Sequence, residues 1–113
     1  MEIDTSLDGA IAIIRLTGRL TVSDKPGGLK QAATAAIAGG AHVVLLDLSR
    51  VPYIDSTRLG ELIPAHISVA RQGGRLALVG TTARIAELLT LAGLEGIFET
   101  HASVDAARAA LGA

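Results

Sequence analysis

The sequence predicts an α/β fold: a mixed β-sheet that opens with an antiparallel N-terminal hairpin, continues through parallel crossovers and is covered by α-helices. Three observations carry this. Short apolar runs, Val43 to Leu46 and Leu76 to Val79, suit strands buried on both faces. Stripes of apolar residues at helical spacing alternate with them. Glycine pairs at Gly39-Gly40 and Gly73-Gly74 stop the stripes before the next strand begins. A chain of 113 residues is close to the common size of one domain, and residues 1–113 are expected to form a single one.

In order, Ile3, Thr5 and Leu7 alternate with polar residues, Asp8-Gly9 supplies a two-residue turn, and Ile11 to Leu16 returns as a second strand. A Ser/Asp/Pro/Gly-rich loop from Ser23 to Gly28 follows. Leu29, Ala32, Ala33, Ala36 and Ile37 then trace the first crossover helix. Val43 to Leu46 is the central strand, with Asp47 marking its end. Leu48, Val51, Ile54 and Leu59 are spaced to pin the next loop inward. Leu59, Leu62, Ile63, Ile67 and Ala70 form the buried stripe of a second helix, which Pro64 is expected to kink about two turns in, because it removes the bond to the carbonyl of Gly60. Leu76 to Val79 is the next strand. Ile85, Leu88, Leu89 and Ala92 make a third helix closed by Gly93, with Leu94 placed for the contact that accompanies a glycine cap. A last helix starts after Ser103, an N-cap residue, and turns Val104, Ala107 and Leu111 inward. Val44, Leu46, Leu62, Leu78 and Leu89 are expected in the core.

Strand-helix-strand order demands parallel pairing with right-handed crossovers, so the strands ending near Leu16, Asp47 and Val79 point the same way. The loops after them, Gly18 to Asp24, Leu48 to Arg58 and Gly80 to Arg84, then share one edge, where open α/β sheets bind their ligands. Arg19, Lys25, Arg50, Arg58 and Arg84 fall in or beside it, half of the chain's ten Lys and Arg, against Asp24, Asp47 and Asp55. On that edge Asp55, Ser56 and Thr57 stand at a helix N-terminus, whose unpaired N–H groups welcome an anion. From the residues alone, a helix cap contributing about 1 kcal/mol is the preferred reading of Ser56.

Composition narrows the function. Half of the residues are hydrophobic, yet only Tyr53 and Phe98 are aromatic, leaving little ring surface on which bases could stack. A net charge of -1 without runs of like charge lacks the basic footprint that nucleic acid requires. There is no cysteine, hence no disulfide, thiolate metal site or thiol nucleophile. The acidic start Met-Glu-Ile-Asp is unlike a signal peptide and no apolar run reaches membrane length, so a cytoplasmic location without membrane insertion is expected. No glycine-rich phosphate loop is present. His42, His66 and His101 form no metal-binding pattern, and none is marked as the base that a serine nucleophile needs. No cofactor, metal or catalysis is expected.

The segment Val43 to Leu62, V-V-L-L-D-L-S-x-V-x-x-I-D-S-T-x-L-G-x-L, resembles the signature of the STAS domain, the module named for sulfate transporters and anti-sigma factor antagonists. The likeness is greatest to stand-alone bacterial antagonists and extends through Gly18 to Leu20, Gly73 to Val79, Leu91 to Leu94 and Ser103 to Ala107. Two positions depart from the family pattern: Thr21 replaces the usual Asp after Leu20, and Arg58 replaces the usual Gly. The resemblance implies that Ser56 is phosphorylated by a partner kinase. It further implies an anti-sigma factor antagonist that captures an anti-sigma factor serine kinase when unphosphorylated and is reset by a phosphatase acting on phospho-Ser56. Thr21, Asp24, Asp55, Thr57, Arg58, Gly80 and Thr81 are the implied partner contacts. Family likeness also suggests an alternative, a STAS subunit docked constitutively on the ATPase of a lipid-transport ABC complex.

Overall fold

Two seven-residue strands, β1 (Glu2–Asp8) and β2 (Ile11–Thr17), pair antiparallel from Glu2↔Thr17 to Asp8↔Ile11. The turn between them is therefore Gly9-Ala10, one position beyond the expected Asp8-Gly9. Gly9 takes φ +63°, the positive value that such tight hairpins ask of their first central residue and that glycine adopts without steric cost. The computed structural model describes residues 2–18, 28–52, 54, 59–94 and 96–111.

The remaining elements are α1 (Gly28–Ala38), β3 (Val43–Arg50), α2 (Leu62–Arg71), β4 (Arg75–Val79), α3 (Ala83–Leu91), β5 (Glu99–His101) and α4 (Val104–Leu111). Among the described residues the five strands lie in chain order, and β2, β3, β4 and β5 run parallel to one another. Ile14, Leu46 and Leu78 stand side by side in register, as do Ile13, Leu45 and Ala77. Because side chains alternate along a strand, these rows line opposite faces. The first face carries Ala12, Ile14, Leu16, Val44, Leu46, Leu48, Leu76 and Leu78 and is buried by α1, α2 and α3; Leu62 and Leu89 are fully inside, as expected. The second carries Ile11, Ile13, Leu45, Ala77 and Val79 and is covered by α4 through Ala107, Val104 and Leu111.

Helix ends follow the punctuation of the sequence. After α1, α2 and α3 the chain turns through Gly40, Gly73 and Gly93, and the next residue donates five positions back: Ala41 N–H to Ala36 O at 3.1 Å, Gly74 to Val69 at 2.9 Å, Leu94 to Leu89 at 2.8 Å. Thr82 Oγ1 accepts the Ile85 N–H at 3.3 Å to start α3, and Ser103 Oγ accepts the Ala106 N–H at 3.1 Å to start α4.

Three expectations need correction. β3 does not end at Asp47 but runs to Arg50, because Leu48 continues the buried alternation of Val44 and Leu46; Asp47 falls on the opposite face, where a cation meets it. The kink expected two turns into the second helix does not arise. Leu59 and Gly60 are helical, Glu61 is a turn, and α2 starts afresh at Leu62. Pro64 is then its third residue, where a backbone N–H would have no intrahelical acceptor anyway, so the ring costs the helix no bond. The buried stripe of α2 is Leu62, Ala65 and Val69, while Ile67 is 43% exposed and Ala70 is exposed. Both stripes have helical spacing; the smaller Ala65 and Val69 let α2 lie close on the sheet. β5 was not anticipated, since Glu-Thr-His has no apolar alternation and its place is set by pairing with β4 beside the buried Phe98.

Candidate functional site at the strand-exit edge

The parallel strands β2, β3 and β4 finish on one edge, and hydrogen bonds between their exits hold it. Gly18 N–H donates to Arg50 O at 3.1 Å, and Gly80 N–H donates to His101 O at 3.1 Å. Asp47 Oδ1 accepts the Ser49 N–H at 3.0 Å, where the register of β3 against β2 shifts between Asp47 and Arg50. Asp47 Oδ2 lies 3.8 Å from Arg15 Nε, and Arg15 also donates to Ser6 Oγ at 3.3 Å. One carboxylate thus ties β3 to β2, and through Arg15 to β1.

Gly80 closes the edge from the β4 side. Its φ is +66°, and a Cβ there would stand 2.8 Å from Ser49 Cβ and 3.3 Å from Asp47 Oδ1. Only a residue without a side chain lets the β4 exit approach β3 this closely. This Asp47–Ser49–Gly80 interlock was missed by sequence reasoning, although an Asp two residues before a Ser and a Gly directly after a buried strand were signals for it.

Beyond the interlock, Val51 N–H donates to Leu48 O at 3.0 Å, and Val51, Ile54 and Leu59 are buried, as their spacing predicted. Ile54 and Leu59 anchor the chain in the core on either side of residues 55–58. Of the anticipated site residues, Ser56, Thr21, Asp24, Asp55, Thr57 and Arg58 lie outside the described residues. Gly80 and Thr81 lie within them and on the edge. Thr81 is half-buried and joins Ala86, Leu89, Phe98 and Thr100 around a hollow of about 320 Å³ between α3 and β5. Of the anticipated cations, Arg50 and Arg84 are exposed, while Arg19 and Lys25 are outside the described residues.

The histidines are separately engaged. His66 meets Phe98 edge-on, with centroids 5.4 Å apart and planes at 65°. His101 Nε2 lies 2.8 Å from Glu99 Oε2, and Arg75 pairs with the other Glu99 oxygen. The imidazole hydrogen bond, with the weaker help of Arg75, outweighs partial burial and holds the Glu99 carboxyl below its usual value. Among the described residues no cluster of three metal-ligating side chains occurs.

A mixed sheet whose parallel strand exits share one edge of interlocked loops defines a small α/β module. The chain belongs to the STAS domain family, whose model matches residues 2–107. Its fold is shared by an anti-sigma factor antagonist from Mycobacterium paratuberculosis, with 20% identity, TM-score 0.83, and coverage of 99% of this chain and 94% of that one. The anti-sigma factor antagonist SpoIIAA in its unphosphorylated form is similar at 16% identity and TM-score 0.75, covering 99% and 98%. The murine Solute Carrier 26 family member A9 anion transporter contains the same fold at 15% identity and TM-score 0.70, over 92% of this chain and 18% of the transporter. No curated protein matches the chain significantly.

Proposed function

We propose that this STAS domain is an anti-sigma factor antagonist operating by partner switching: it binds an anti-sigma factor serine kinase and is released when the kinase phosphorylates Ser56. The observation that carries the reading is the setting of the Asp55-Ser56-Thr57 motif in the chain. It follows the interlocked exit of β3 and is bracketed by two buried anchors, Ile54 and Leu59. The fold shared with SpoIIAA, a protein solved in both unphosphorylated and phosphorylated forms, adds support.

The switch is electrostatic. A phosphate adds about -2 charge, and a partner burying the edge would have to desolvate that dianion or set an acidic group against it. Arg58, two residues on, is a charge-assisted partner for the phosphate. The protein acts in the cytoplasm, without catalysis or cofactor, and a phosphatase restores it. No helix among the described residues is long and apolar enough to cross a membrane. A second reading compatible with membership of the same family is a STAS subunit docked constitutively on the ATPase of a lipid-transport ABC complex.

The test is mass spectrometry after incubation with ATP and the candidate serine kinase encoded nearest to this protein. One phosphate on Ser56, absent in Ser56→Ala, is expected. An unmodified Ser56, or a phosphate elsewhere, contradicts the switch.

A further inference from the structure

The second apolar stripe of α2, which runs from half-buried Ile63 to exposed Ile67, borders a hollow on the helical face of the sheet. A groove of about 510 Å³ lies where α1 meets α2, with Ile63, Pro64 and Ile67 as its apolar part and Lys30, Arg71 and Gln72 around it. Its walls are fixed to each other: Thr34 Oγ1 and Ser68 Oγ share a hydrogen bond of 3.0 Å across the two helices, and Gln72 Nε2 donates to Ser68 O at 3.3 Å. The groove is therefore a feature of the fold and does not need a ligand to form.

Its direction follows from topology. α1 and α2 each link parallel neighbours in one sheet, so they run parallel to one another and opposite to the strands, and both start at the strand-exit edge. The stripe begins at Ile63, close after the bracket that holds residue 56, and leads away from the edge. Lys30 stands one turn before the Thr34–Ser68 bridge and Arg71 about one turn after it. The two cations thus flank the apolar stripe at levels separated by roughly 10 Å, two turns of helix.

We propose that this groove receives an acidic amphipathic helix of the protein that docks at the Ser56 edge. The proposal rests on the partner-switching reading and extends its interface along α2. Three features select the occupant. Among the described residues, the ionic side chains lining the groove are the cations Lys30 and Arg71, so the complement is acidic. Half-buried Ile63 and the exposed Pro64 and Ile67 follow the i, i+3/i+4 spacing that a helix face meets with anchors of the same period. Self-pairing is disfavoured, because a two-fold through the groove would bring the cations Lys30 and Arg71 of one copy towards those of the other. Two cations in a chain of net charge -1 do not make a nucleic-acid footprint.

The experiment is calorimetric titration of the candidate kinase with wild type, Ile67→Asp, the double variant Lys30→Glu/Arg71→Glu, and Ser56→Asp. All three groove positions are exposed, so thermal melts should match wild type. The proposal expects each groove variant to bind at least tenfold more weakly, and expects the double variant to lose the salt dependence that wild type shows. Groove variants that bind like wild type, while Ser56→Asp alone loses affinity, overturn the groove and leave the antagonist reading intact. Wild type that binds no kinase overturns the antagonist reading and this proposal with it. Self-association of wild type that Ile67→Asp abolishes assigns the groove to a second copy and also overturns the proposal.

Discussion

Gly80 shows how one residue shapes the edge. Its positive φ and the 2.8 Å that would separate a Cβ from Ser49 act together, so Gly80→Ala has to adopt an unfavourable backbone and push the β3 exit aside. We expect it to cost about 1–3 kcal/mol, read as a lower midpoint in urea unfolding. Asp47 makes the complementary point about legibility. After four apolar residues a carboxylate reads as the end of a strand, yet the pleat allows it to continue with the charge turned to the other face beside Arg15. A linear pattern shows where apolar residues stop on one face and does not show which partner waits on the other. Gly80 and Thr81 were readable as edge residues because a loop directly after a buried strand has few other places to be.

Among the elements, strands and helices with strong periodicity were legible from their residues: the hairpin, the two central parallel strands, the three crossover helices, and α4 with its Ser103 cap. α2 was legible as a helix but not in its phase. Leu62, Ile63, Ile67 and Ala70 satisfy helical spacing as well as Leu62, Ala65 and Val69 do, and only packing on the sheet selects the second set. The choice has a measurable consequence. Leu62→Ala removes a wholly buried side chain and should destabilise by about 2–5 kcal/mol, whereas Ile67→Ala trims an exposed one and should cost less than about 1 kcal/mol. Equal costs in chemical denaturation would reverse the assignment of the two stripes. β5 was illegible because three polar residues at a sheet edge carry no period. On β1 the alternation of Ile3, Thr5 and Leu7 gave the strand correctly, yet Leu7 is 62% exposed: an edge strand can show the pattern without burying it.

For the whole molecule, parallel order brings three strand exits to one side, and hydrogen bonds between them make that side a stable platform for whatever residues 55–58 do. The fold followed from apolar periodicity and glycine punctuation. The role of the edge did not, since a serine in a loop after a buried strand carries no mark of its own as cap or phosphoacceptor, and the resemblance to the STAS signature is what separates the two. The central claim is that added charge at residue 56 governs partner binding, and calorimetric affinity for the candidate kinase tests it most directly. Ser56→Ala should bind like wild type. Ser56→Asp should melt like wild type and yet bind at least tenfold more weakly, a loss of about 1.4 kcal/mol or more. Binding by Ser56→Asp as tight as that of wild type would contradict the account.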